Sequence, residues 1–131
     1  MLARLLADLV LTVHFGFILF ALFGALLCLR WPLAAFAHLP ALAWAAYISF
    51  TAGVCPLTPL ENSLRRAGGE ADYSGTFVEQ YLGRIVYPQG LDADLQGWMA
   101  VGLLVLNAWI YAMVAVRRVV RRKDEARPKP R

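Results

Sequence analysis

Three long stretches without charged residues dominate the pattern of the chain. They cover residues 9–29, 31–60 and 95–116. A helix needs about 20 apolar residues to cross roughly 30 Å of hydrocarbon, because each residue adds 1.5 Å. In lipid the backbone must also satisfy its own hydrogen bonds, which favours helices. The pattern therefore predicts an all-α integral membrane fold with three transmembrane helices. The predicted spans are about residues 5–29, 32–54 and 94–117.

The composition supports a membrane protein. Of the 131 residues, 60% are hydrophobic and 17% are charged, whereas a soluble domain is about half apolar and a quarter charged. This balance argues against a soluble globule, a disordered chain and a nucleic-acid-binding domain, despite the net charge of +4. The first apolar stretch is also too long for the core of a signal peptide, about 7–15 residues. We expect residues 1–123 to form a single membrane domain, with the lipid bilayer as partner and no nucleic acid.

The distribution of charge predicts an orientation. Residues 117–131 contain eight basic and two acidic side chains, whereas residues 55–94 contain three arginines and six acids. Cytoplasmic segments next to spans are enriched in Lys and Arg. We therefore predict a cytoplasmic C-terminus, with a disordered basic tail at 124–131, and an N-terminus outside the cell.

The outer connection, residues 55–93, is predicted to form a cap of two short helices. Thr58 and Glu61 have the spacing of a capping box, and Gly68 and Gly69 end that helix. Thr76 and Glu79 repeat the spacing before an amphipathic stretch that is too short to span the membrane. We expect this stretch at the membrane interface or over the outer mouth of the spans. Its apolar stripe consists of Phe77, Val78, Tyr81, Leu82, Ile85 and Val86.

Depth arithmetic predicts a polar cluster at the outer face. Counted from the first turn, it brings together His14, Cys55, Glu61, Asn62 and Arg65. A histidine, a carboxylate and an arginine in a poorly hydrated cleft perturb one another's pKa values, which is a feature of functional sites. The alternative is a neutral histidine that is simply hydrogen-bonded within the bundle. The spacing is not a metal-ligand motif, so no metal site is predicted.

A second polar pair, His38 and Asn107, is predicted deeper on the inner side. We expect a packing hydrogen bond there. His14 and His38 differ in depth by roughly 12 Å, so they cannot clamp one haem, and no cofactor is predicted. Cys28 lies at the opposite membrane face from Cys55, so we expect no disulfide between them.

Several short strings resemble a known family. The run CPLTPLEN at 55–62 is the most specific of them. The others are Ala7-Asp8, His14-Phe15, Leu29-Arg30-Trp31-Pro32, His38-Leu39-Pro40, Tyr73-Ser74-Gly75, Phe77 with Glu79, Tyr81 and Tyr87-Pro88. Over roughly residues 4–118 the chain resembles the small bacterial membrane proteins catalogued as domain of unknown function 2784. The resemblance implies a multi-span protein of the bacterial inner membrane and no particular activity.

Three classes of function remain open at this point. We favour a structural or accessory subunit of a larger membrane complex, which small-residue helix faces suit. A binder of lipid or of a small apolar ligand at the outer face is the alternative. A redox or metal-dependent enzyme would need a convergent set of polar side chains, which the sequence allows but does not demonstrate.

Overall fold

The computed structural model describes residues 1–75, 77–83 and 92–127. The described residues form helices and no strand. Helix α1 covers Leu2–Phe23 and continues as a 3-10 helix over Gly24–Leu29. The other elements are α2 (Ala34–Phe50), α3 (Leu57–Ala67), a π-helical turn (Glu79–Gly83) and α4 (Ala93–Glu125). The all-α prediction is confirmed for this part of the chain.

Two helical segments are long and apolar enough to cross a membrane. They are Leu2–Leu29, with 28 residues, and Ala93–Glu125, with 33. Helix α2 is apolar but has only 17 residues, fewer than the predicted second span at 32–54. It ends at Phe50 because Ala52 adopts a left-handed backbone conformation with φ of 48°. The amide of Gly53 then bonds the carbonyl of Ile48 at 2.9 Å and closes the helix end.

Helix α4 extends well beyond its apolar part. It begins at Asp92, whose carboxylate accepts a hydrogen bond from the amide of Leu95 at 2.7 Å, as an N-cap does. At 1.5 Å per residue, 33 residues span about 50 Å, which exceeds the hydrocarbon core. The helix continues through the basic residues that follow position 116. It includes residues 124 and 125, which belong to the predicted disordered tail. Residues 128–131 of that tail lie outside the described residues.

Helix α3 begins earlier than predicted. Pro56 occupies the N-cap position, and no side chain caps the helix there. The backbone of Pro56 is already helical, with φ of −55°, because its ring restricts φ. The predicted cap Thr58 consequently lies in the first turn, and Glu61 is directed to other partners. The second predicted capping box includes Thr76, which lies outside the described residues, as do residues 84–91 of the predicted amphipathic stretch.

The helices pack so that α3 lies along the N-terminal half of α1. The Nε atom of Arg4 donates to the carbonyl of Gly68 at 2.8 Å, and Ala7 is buried. Helices α2 and α4 pack together with the 3-10 segment around a small apolar core. Gly24 permits this packing, because a Cβ there would lie 2.9 Å from Phe20 and would collide with the ring of His38.

Candidate outer cavity and its polar surroundings

A cavity of about 100 Å³ lies at the end of the bundle where α2 ends and α4 begins. We call it the outer cavity, after the face predicted from the sequence. Helices α1 and α2 and the start of α4 form its walls. We call the segment Phe77-Val78 the roof of this cavity. The residues that line the cavity are mostly aliphatic and aromatic. The lining residues are His14, Phe17, Ile18, Trp44, Ala45, Ile48, Ser49, Gly53, Cys55, Phe77, Val78, Gln96 and Met99.

His14 is the main polar group of the cavity wall. Its side chain is 3% exposed, and its ring lies 4.3 Å, centroid to centroid, from the ring of Phe77. Its Nδ1 atom is buried without a hydrogen-bond partner among the described residues. An unpaired buried polar atom costs about 1–3 kcal/mol. The ring is also close enough to Glu61 to interact with its negative charge.

The predicted outer residues divide into two groups. Cys55 is a partly buried free thiol and lines the same cavity as His14. Glu61, Asn62 and Arg65 do not line it. They form a second, adjacent cluster on α3, on the other side of the roof segment.

Glu61 is the centre of that second cluster. Its side chain is fully buried. Its Oε1 atom accepts hydrogen bonds from Nε of Arg65 at 2.9 Å and from the hydroxyl of Tyr81 at 3.0 Å, and its Oε2 atom accepts from the hydroxyl of Tyr73 at 2.9 Å. Arg65 also donates to the hydroxyl of Tyr81 at 2.8 Å. A buried carboxylate is stable only when it is paired and hydrogen-bonded in this way. We call these four residues the Glu61 cluster.

The electrostatics of the cluster keep both tyrosines protonated. Burial, followed by the hydrogen bond to Glu61, raises the pKa of Tyr81 to about 12 and raises that of Tyr73 further. Both phenols, which are protonated at neutral pH in any case, therefore remain hydrogen-bond donors into the alkaline range. Arg65 also contacts Glu70 at 3.4 Å, and Glu70 lies 3.5 Å from Arg4. The charges thus continue from the buried carboxylate to the exposed start of α1.

Asn62 holds the chain that returns from α3. Its amide Nδ2 donates to the carbonyl of Tyr73 at 2.7 Å, and its Oδ1 accepts from the amide of Tyr73 at 3.2 Å. The side chain thereby pairs with both backbone groups of one residue. Sequence reasoning included Asn62 and put Tyr81 in the apolar stripe of the cap, but it gave neither Tyr73 nor Tyr81 a role as a partner of Glu61.

The inner polar pair meets at one carbonyl group. His38 Nε2 and Asn107 Nδ2 lie 3.3 Å and 3.0 Å from the carbonyl oxygen of Ala21. A carbonyl only accepts, so Nε2 carries the hydrogen, and in the neutral ring Nδ1 accepts from the hydroxyl of Tyr111 at 2.8 Å. The thiol of Cys28 completes the chain, 3.9 Å from that hydroxyl. These contacts join α1, α2 and α4.

Metal ligands are not grouped in the described residues. No three or more His, Cys, Asp or Glu side chains lie together there as a metal site would need. The reactive or hydrogen-bonding side chains described near the outer cavity include His14, the free thiol of Cys55 and the paired carboxylate of Glu61.

Comparisons with known proteins bear on the family alone. No curated protein and no solved structure matches the chain. A family model matches residues 4–112, a range that includes the outer cavity, the Glu61 cluster and the inner polar pair. The resemblance of the short strings is thereby confirmed, and the chain belongs to the family described as Protein of Unknown function (DUF2784).

Proposed function

We propose that this protein crosses the bacterial inner membrane three times and binds an uncharged amphiphile in the outer cavity. In this proposal the N-terminus faces outward and the basic end of α4 faces the cytoplasm. The ligand has an apolar body and one neutral hydrogen-bonding group. A lipid chain end and a small apolar molecule share this chemistry.

The observation that carries the proposal is His14, whose buried Nδ1 atom lacks a hydrogen-bond partner among the described residues, in the wall of a mostly apolar cavity. Small-molecule sites are concave and largely apolar, with a few polar groups that orient the ligand. A ligand hydroxyl or carbonyl would give the His14 ring a partner within the cavity. The described lining contains no Asp, Glu, Lys or Arg, so a charged ligand would lose its hydration without compensation.

The position of the cavity favours entry from the bilayer. Its walls are apolar residues of the long hydrophobic helices, and Trp44 and Met99 on its rim are 43% and 37% exposed. An apolar molecule already concentrated in the membrane would reach it sideways, between α2 and α4.

Photo-crosslinking tests the proposal directly. The purified protein in lipid nanodiscs is irradiated with a long-chain alcohol that carries a diazirine, and the modified residues are mapped by mass spectrometry. We expect saturable labelling of cavity residues, which excess unlabelled alcohol removes. Ala45→Leu fills the cavity and should abolish it, whereas Ala43→Leu, on the exposed side of α2, should not.

The control separates a site from general contact with lipid. Labelling that spreads over exposed helix faces and is unaffected by Ala45→Leu would contradict the proposal. Extraction of the purified protein, followed by lipid analysis, distinguishes a retained membrane lipid from a smaller molecule added from solution.

A second candidate function is that of an accessory subunit. Gly16 on α1 and Gly102 on α4 are exposed, and a Cβ on either would meet no atom within 4 Å. Glycines on exposed faces allow close approach of another transmembrane helix. A stoichiometric membrane protein that copurifies with the wild type and is lost on Gly16→Leu or Gly102→Leu, with the fold retained, would support this role.

A further inference from the structure

Phe77 lines the outer cavity and lies, in the sequence, between the two tyrosines of the Glu61 cluster. It is 4% exposed, and its ring lies 4.3 Å from the ring of His14 and 4.8 Å from that of Tyr81. The Phe77 ring therefore packs against His14 in the cavity wall and also against Tyr81. The hydroxyl of Tyr81 is in turn hydrogen-bonded to the buried carboxylate of Glu61.

The two tyrosines are held in different ways. Tyr73, before the roof, bonds Glu61 and is also fixed through its backbone by Asn62. Tyr81, after the roof, bonds Glu61 and Arg65 through its hydroxyl, and its ring packs directly against the ring of Phe77 at 4.8 Å. Loss of the Tyr81 hydroxyl should therefore release the roof more than loss of the Tyr73 hydroxyl.

We infer that Tyr81, held by Glu61 and Arg65, is the positioning residue that sets Phe77 over His14 and so controls access to the outer cavity. It acts through Phe77 and does not touch the ligand. The inference rests on the proposed function only for what enters the cavity, because the position of the roof itself follows from the hydrogen bonds of the cluster.

Cysteine modification measures this control without any ligand. Cys55 lines the cavity below the roof, and Cys28→Ala removes the other thiol. In this background, in nanodiscs, we expect Tyr81→Phe to raise the rate of Cys55 alkylation by iodoacetamide at least about tenfold, because the loss of even one hydrogen bond to a charged group implies that factor. This substitution removes two such bonds, one to Glu61 and one from Arg65. Tyr73→Phe removes a single bond to the same carboxylate and leaves the backbone of Tyr73 bonded to Asn62, so it should raise the rate by a clearly smaller factor.

The comparison of these two variants decides the inference. Both variants keep the aromatic ring and lose only the hydroxyl. If the hydroxyls only stabilised the fold, the rate of Cys55 alkylation in each variant would follow the change in its unfolding midpoint. A large rate increase in Tyr81→Phe alone, at matched midpoints, supports a positioning role. Equal rates in the two variants, or a rate in Tyr81→Phe that equals the background rate, would overturn it.

Photo-crosslinking of the same variants separates this inference from the proposed function. If alkylation responds to Tyr81→Phe but the diazirine alcohol never labels the wild-type cavity, the roof is controlled as inferred and ligand binding is wrong. If the alcohol labels the cavity but Tyr81→Phe alters neither its labelling nor the alkylation rate, binding stands and the role of Tyr81 is wrong.

Discussion

Substitution of Glu61 by glutamine removes the negative charge at the centre of the cluster and keeps its shape. The carboxylate accepts three hydrogen bonds at 2.9–3.0 Å and is fully buried. A hydrogen bond to a charged group contributes about 1.5–3 kcal/mol, and one between neutral groups about 0.5–1.5 kcal/mol. The change thus costs about 1 kcal/mol per bond, or roughly 2–3 kcal/mol in all if the amide can turn so that Tyr73 accepts.

Glu61→Ala should be more severe. It leaves Arg65 and two phenols without their shared acceptor and opens a space beside α1. Removal of one partner from a buried ion pair costs about 3–5 kcal/mol. Glu70→Gln is the matched control, because Glu70 contacts the same Arg65 but is 36% exposed. An exposed pair contributes about 1 kcal/mol at most.

Limited proteolysis measures how much each substitution destabilises α3. The side chain of Arg66 is 57% exposed, and trypsin cleaves after it when α3 opens. When opening is fast, the cleavage rate follows the open population, so 2–3 kcal/mol predicts cleavage roughly 30- to 140-fold faster for Glu61→Gln. If Glu61→Gln were cleaved no faster than Glu70→Gln, the buried carboxylate would not hold the outer segment, and our account of the cluster would be wrong.

Three further predictions follow from other parts of the chain. A reporter active only outside the cytoplasm should work when inserted at Gly69 and stay silent after Lys123; the reverse pattern would contradict the proposed orientation. The phenol of Tyr81 should ionise near pH 12, against an ordinary value near 10, as measured by the difference in tyrosinate absorbance between the wild type and Tyr81→Phe. Because the folded-state pKa is raised, its stabilising contribution should be complete below pH 10 and disappear as the pH rises from 10 to 12. Gly24→Ala should lower the unfolding midpoint by displacing the ring of His38, whereas Gly97→Ala, where a Cβ meets open space, should have little effect.

The sequence alone predicted the helical architecture and which polar residues lie at the same level of the bundle. Long uncharged stretches require helices in lipid, and a fixed rise per residue relates position to depth. This reasoning put His14 and Cys55 at one level, and both line one cavity in the structure. It also put His38 near Asn107, and both reach the carbonyl of Ala21.

The i,i+4 spacing on α3 accounts for the pair of Glu61 and Arg65, but only the tertiary structure decided which other partners the outer residues take. Glu61 is 12 residues from Tyr73 and 20 from Tyr81, and the chain between them is too irregular for any helical or strand period to predict their contact. The start of α3 and the end of α2, by contrast, follow local backbone conformation, namely the restricted φ of Pro56 and the left-handed backbone of Ala52. A hydrophobic pattern indicates which helix faces are buried because the hydrophobic effect has no directional requirement. A buried carboxylate depends instead on the positions of individual donors, which arise only when α3 and the segment that follows it fold back onto α1.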